Sequence, residues 1–164
     1  MFRKIAPFVL ILAMFLVDTA VLPFLATSPY MPLFSLMGVS CIGLLLGRTR
    51  GTIAGLIAGV LLDITVSQPV GLMSLLYTFT GFFSGFTGRR FHKYWITTIL
   101  SPFLCYTVYE IVMLVYAAMA GLQIGGAQFG QLALRVLIET ALTQLLYVLY
   151  AKILKPVWSR YANR

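Results

Sequence analysis

Four side chains in this chain could do acid chemistry, and all four stand inside apolar runs: Asp18, Asp63, Glu110 and Glu139. A carboxylate within hydrocarbon is costly, so such a residue faces a bundle interior, a cavity or a partner. Arg135 stands one helical turn before Glu139, and the i, i+4 spacing puts both on one helix face. Arg135 is the natural counter-ion of Glu139. An acid on another helix or the outer headgroups are its other outlets. Asp18, Glu110, Arg135 and Glu139 are grouped as an intramembrane polar cluster. Two roles fit it: a structural knot tying helices together, or a polar pocket or docking point for a partner helix.

Small residues form the second pattern. Gly51, Gly55 and Gly59 recur every fourth residue, with Ala54 and Ala58 beside them. Gly81 with Gly85, and Gly43 with Gly47, repeat the spacing. Small residues four apart let another helix approach closely, because packing replaces the hydrophobic drive in lipid. These faces are expected to pack the second, third and fourth helices, with one surface left free for a partner. Asp63 follows Gly59 by four residues and precedes the turn Ser67–Gly71, so a close-packed helix ends in a carboxylate at an outer turn.

Other chemistry is not provided for. The single histidine, His92, lies in the basic stretch Arg89, Arg90, Phe91, His92, Lys93, where a solvated role is expected. Cys41 and Cys105 sit in apolar runs and read as small buried hydrophobes. No zinc-ligand spacing, phosphate-binding glycine loop or nucleophile elbow occurs in the sequence. The expectation is no enzyme activity, no metal and no cofactor.

The elements that must position these residues follow from composition. Of 164 residues, 60% are hydrophobic and 10% charged, against roughly 45–50% and 25% in a soluble domain. Mean hydropathy is +0.95. The class is an all-α polytopic membrane protein, one integral membrane domain over residues 1–164. Six apolar segments are expected as spans: 5–25, 33–47, 51–66, 71–88, 94–120 and 130–154. The first is too long for a secretory signal and has no A-x-A site after it, so it stays attached. Arg48 and Arg50 divide the second from the third, since two arginines at mid-bilayer would cost about 2.5–3.5 kcal/mol each.

Placing the N-terminus in the cytoplasm puts Arg3, Lys4, Arg48, Arg50, Arg89, Arg90, Lys93, Lys152, Lys155, Arg160 and Arg164 on the cytoplasmic side. Of the 12 Lys and Arg, only Arg135 is left over. That asymmetry favours six spans with both ends inside. The net charge of +8 is therefore assigned to topology and anionic lipid, with no nucleic acid as a partner. Arg89, Arg90 and Lys93 form a cytoplasmic basic loop that could also meet a protein.

Gly55-Leu56-Ile57-Ala58-Gly59-Val60-Leu61-Leu62-Asp63, then Gly71, then Gly81 and Gly85, resembles the rod shape-determining MreD family. Val60 stands where that family often has leucine. The resemblance implies a non-enzymatic scaffold of the bacterial cell-elongation complex in the cytoplasmic (inner) membrane. It implies an MreC-like single-span partner, and through it MreB, RodA and its transpeptidase. It also implies the architecture of the substrate-binding subunits of energy-coupling-factor transporters. Such a vitamin-transport subunit is the alternative function, with the outer acids and Arg135 lining a ligand pocket. Those subunits commonly carry two alanines four apart on the first helix, whereas Ala6, Ala13 and Ala20 here are spaced by seven.

Overall fold

The computed structural model of the protein describes residues 2–21, 33–66, 71–90, 95–121 and 126–158. Among them stand six α-helices and no strand. They are α1 (Phe2–Leu16), α2 (Phe34–Leu46), α3 (Arg48–Val66), α4 (Leu72–Arg90), α5 (Trp95–Met119) and α6 (Gly126–Trp158). A wider π-helical turn, Val17–Val21, continues α1. Residues 22–25 of the first expected span lie outside the described residues, as do Lys93 and His92.

The helices fall where the apolar segments do, but α3 already begins at Arg48, so Gly47 alone divides it from α2, and α6 differs at both ends. Residues 121–129 were expected to be an outer loop, but α6 already begins at Gly126. Nor does the chain leave the helix at 154, because α6 runs for 33 residues to Trp158. At about 1.5 Å per residue that is about 50 Å, longer than a bilayer core of about 30 Å. Its N-terminal turns carry alanine, leucine and glutamine and no proline, so nothing halts helix growth there.

Among the described residues two helical stretches are long and apolar enough to cross a membrane, Thr98–Met119 in α5 and Phe129–Lys152 in α6. The others fall short for separate reasons. Helix α2 has only 13 residues, about 20 Å of rise. Helices α3 and α4 have 19 each, but arginine, glycine, serine and threonine dilute their apolar content.

Helix α2 is the centre of the bundle. Every residue from Ser35 to Leu44 is buried, and α2 meets each of the other helices. A helix apolar all round belongs in such a place. Leu36, Met37, Val39 and Ile42 pack there with Ile11, Ala54, Ala58, Leu76, Tyr77, Tyr106 and Tyr150. It ends at Gly47, whose φ of 90° lets α3 start at the very next residue.

The surface is apolar. Ile64, Leu75, Ile96, Leu137 and Leu145 are each more than 60% exposed. Contiguous apolar surface of this kind suits lipid contact.

Polar groups are satisfied locally. Thr52, Thr65, Thr80, Thr87, Thr107, Thr140 and Thr143 each donate to the carbonyl four residues back. Pro102 inside α5 has no N–H for the Thr98 carbonyl. Gln144 on α6 supplies the missing donor, its Nε2 lying 2.8 Å from that oxygen.

Candidate functional site

The glycine ladder is the contact between α3 and α4. A methyl group on Gly51 would overlap the Gly81 carbonyl oxygen, on Gly55 the Tyr77 carbonyl, and on Gly59 the Ser74 Cα. Seen from α4, Gly81 meets the Gly51 carbonyl and Gly85 meets the Arg48 backbone. Gly43 of α2 closes the third side against the Gly81 carbonyl and the Ser84 Cβ. Backbone touches backbone along the whole seam, the arrangement small residues permit in lipid. The expectation of one glycine surface left free for a partner is therefore corrected. All three glycine faces are occupied within the chain, and Gly47 serves the turn.

Asp63 closes the same seam. Its Oδ1 accepts the Met73 N–H at 3.2 Å, and its Oδ2 accepts the Ser74 N–H at 3.0 Å and the Ser74 hydroxyl. The carboxylate at the end of α3 thus caps the start of α4, where free N–H groups and the helix dipole favour an anion. Gly71, with φ of 94°, makes the reversal just before that start.

Asp18 does the same for α2. The π-helical turn presents it to the Phe34 and Ser35 N–H groups, at 2.9 and 2.7 Å. Leu33 precedes the helix and has no side-chain cap to offer. Two buried or half-buried aspartates are therefore answered by backbone donors and need no cation. This separates Asp18 from the cluster in which the sequence reading had placed it.

The other three members do meet. Arg135 Nε lies 3.0 Å from Glu110 Oε1 and 3.4 Å from Glu139 Oε1. The guanidinium of α6 therefore bridges to α5 as well as to its own helix, and Glu110 is its nearer partner. Glu139 is the more deeply buried acid, with a side chain 1% exposed against 10% for Glu110. The contacts are between charges. The Leu33 N–H, at the start of α2, also lies on the Glu139 carboxylate.

A file of hydroxyls runs inward from this region. Ser35 Oγ and Tyr77 Oη are 3.0 Å apart, Tyr77 and Tyr109 meet edge to face, and Tyr106 Oη is 2.6 Å from Thr143 Oγ1. Ser40 and Ser84 join α2 to α4 at 3.2 Å. These pairs fasten α2 to α4 and α5 to α6. Sequence reasoning missed them, and it missed Gln144, although Pro102 already implied an orphaned carbonyl at Thr98.

On the other side, Arg89 and Arg90 end α4, and Lys93 lies outside the described residues. Arg48 rests over the Phe82 ring at 4.2 Å, which draws it back onto α4. Among the described residues no group of three or more His, Cys, Asp or Glu could hold a metal ion.

One family model matches residues 2–153, nearly the whole chain, and its description is rod shape-determining protein MreD. No curated protein matches the chain, and no solved structure does.

Proposed function

The chain belongs to the MreD family of rod shape-determining proteins, and from that premise we propose that it is a non-enzymatic, six-span scaffold of the bacterial cell-elongation complex. It resides in the cytoplasmic membrane with both ends inside. It binds an MreC-like single-span partner and helps couple MreB filaments to peptidoglycan synthesis by RodA and its transpeptidase. The observation that carries this reading is the family match over residues 2–153. The structure supports it in three ways. Its outer surface is apolar on every helix from α3 to α6. Its helix order is compatible with a six-span topology in which the sequence puts eleven of the 12 Lys and Arg on one side. Its polar side chains are spent on helix caps and interhelical contacts, as a rigid platform requires.

The partner face follows by subtraction. The glycine seam is filled, so a partner helix must use the outward sides of the bundle. The test is capture of the tagged protein from its native membrane in mild detergent, with partners identified by mass spectrometry. A single-span MreC-like protein, with or without cell-wall synthases, is the expected catch. Recovery of paired ATPases with a coupling membrane protein would overturn the reading.

A further inference from the structure

Two carboxylates share one guanidinium in the seam between α5 and α6. Arg135 stands between Glu110 and Glu139 at 3.0 and 3.4 Å. The Glu139 side chain is 1% exposed, and its carboxylate is met by the Arg135 side chain and by the Leu33 N–H. Asp18 and Asp63 are each answered by two backbone N–H groups, whereas Glu139 has one, from Leu33. In the six-span topology proposed above, on which this inference rests, every other Lys and Arg lies on the cytoplasmic side. The formal charge of the triad is then two negatives plus one positive, or −1. A buried charge left uncompensated in a medium of low dielectric is strongly unfavourable, and it is relieved by a counter-charge or by taking up a proton.

The rim of the triad is open. Arg135 is 27% exposed and Glu110 10%. Around them Ile111, Leu134, Leu137 and Ile138 present exposed apolar surface.

We infer that the Glu110, Arg135 and Glu139 triad is a docking point for a membrane-spanning helix of a partner protein that carries one lysine or arginine at the same depth. One added monocation brings the triad to neutrality, and the apolar flanks pack the rest of the partner helix. A zwitterionic lipid headgroup matches less well, since its phosphate returns the negative charge that its ammonium removes. A second copy of this chain offers only its own Arg135, which two acids already hold.

The test uses the full-length protein, donor-labelled, in phosphatidylcholine vesicles. The probe is an acceptor-labelled, leucine- and alanine-rich spanning peptide with a single lysine in its outer half. The same peptide without lysine is the control, and association is read by energy transfer. The lysine peptide is expected to associate about tenfold more tightly than the control. Glu139→Gln should remove that preference. Arg135→Gln, which takes away the internal competitor, should enlarge it. A folding defect would lower both, so the opposite signs keep the two explanations apart. Equal association of the two peptides with the unaltered protein overturns the inference. Loss of the preference when phosphatidylethanolamine replaces phosphatidylcholine also overturns it, in favour of a lipid amine. In native membranes, equal capture of the single-span partner by the unaltered and Glu139→Gln chains sinks the docking point and leaves the scaffold standing. Failure of the unaltered chain to capture any such partner sinks the scaffold reading itself.

Discussion

Asp63, which from the sequence could serve either helix packing or a partner, makes contacts within the fold. A carboxylate at the end of a close-packed helix draws attention as a docking group. Its oxygens instead accept two N–H groups and a hydroxyl at the start of α4. Asparagine at this position keeps the shape, but its amide nitrogen cannot accept, and the favourable charge at the helix N-terminus is gone. Asp63→Asn should therefore destabilise the protein by about 1–2 kcal/mol. The check is the thermal unfolding midpoint in detergent, which should fall while the partner is still captured from membranes. An unchanged midpoint with lost capture would give Asp63 the docking role instead. Glu110, Arg135 and Glu139 differ from the aspartates in kind, because side chains from two helices share one charge balance.

Among the elements, α3 and α4 form the most closely joined pair, and glycine is the reason. Added atoms at Gly55 meet the Tyr77 carbonyl, part of a backbone that cannot rotate away. Gly55→Ala should cost about 1–3 kcal/mol by overpacking. Gly130, in α6, has open space where its Cβ would stand. Gly130→Ala should be stabilising by up to about 1 kcal/mol, since alanine favours the helix. The two midpoints, measured side by side, should move in opposite directions. Equal small gains would mean that α3 and α4 are not in backbone contact. Helix α2 depends on its neighbours in another way. Too short to cross a bilayer alone, it is held by Asp18 at its start, by Gly47 at its end and by buried hydroxyl pairs along its length.

At the scale of the whole molecule the question is how the bundle sits in the membrane. Six spans require residues 2 and 158 to face the same compartment. A fluorescent protein fused after the C-terminus should fluoresce in the cytoplasm, and a phosphatase fused there should stay inactive, since it needs the oxidising outer compartment. Active phosphatase would place the C-terminus outside and overturn the topology with both ends in the cytoplasm. Adding positive charge to the outer turn near Gly121 should lower the amount of correctly inserted protein, because the charge bias that orients the bundle would weaken.

Much of this was legible before any coordinates. Membrane class, helix positions and the small-residue faces depend on local composition and spacing, since lipid imposes a hydropathy rule on each segment separately. Segments 33–47, 71–88 and 94–120 fall within two residues of α2, α4 and α5, and 51–66 falls within three of α3. The end of the first span and Lys93 lie outside the described residues. Helix α6 runs beyond the expected span at both ends, through Gly126–Phe129 and Lys155–Trp158, where neither hydropathy nor helix propensity (Gly126 and Pro156 lie there) marks a helix. Which groups meet was beyond the sequence. Asp18 and Asp63 reach helix starts 10 to 17 residues further along the chain. Gln144 finds the Thr98 carbonyl 46 residues away, and Arg135 crosses to Glu110 on α5. The amino-acid sequence by itself determined that the chain is a helical membrane protein with costly acids and close-packing glycines. Only the tertiary structure decided which acids are answered by backbone, which share a cation, and that every glycine face is filled, because those outcomes depend on which helices lie side by side.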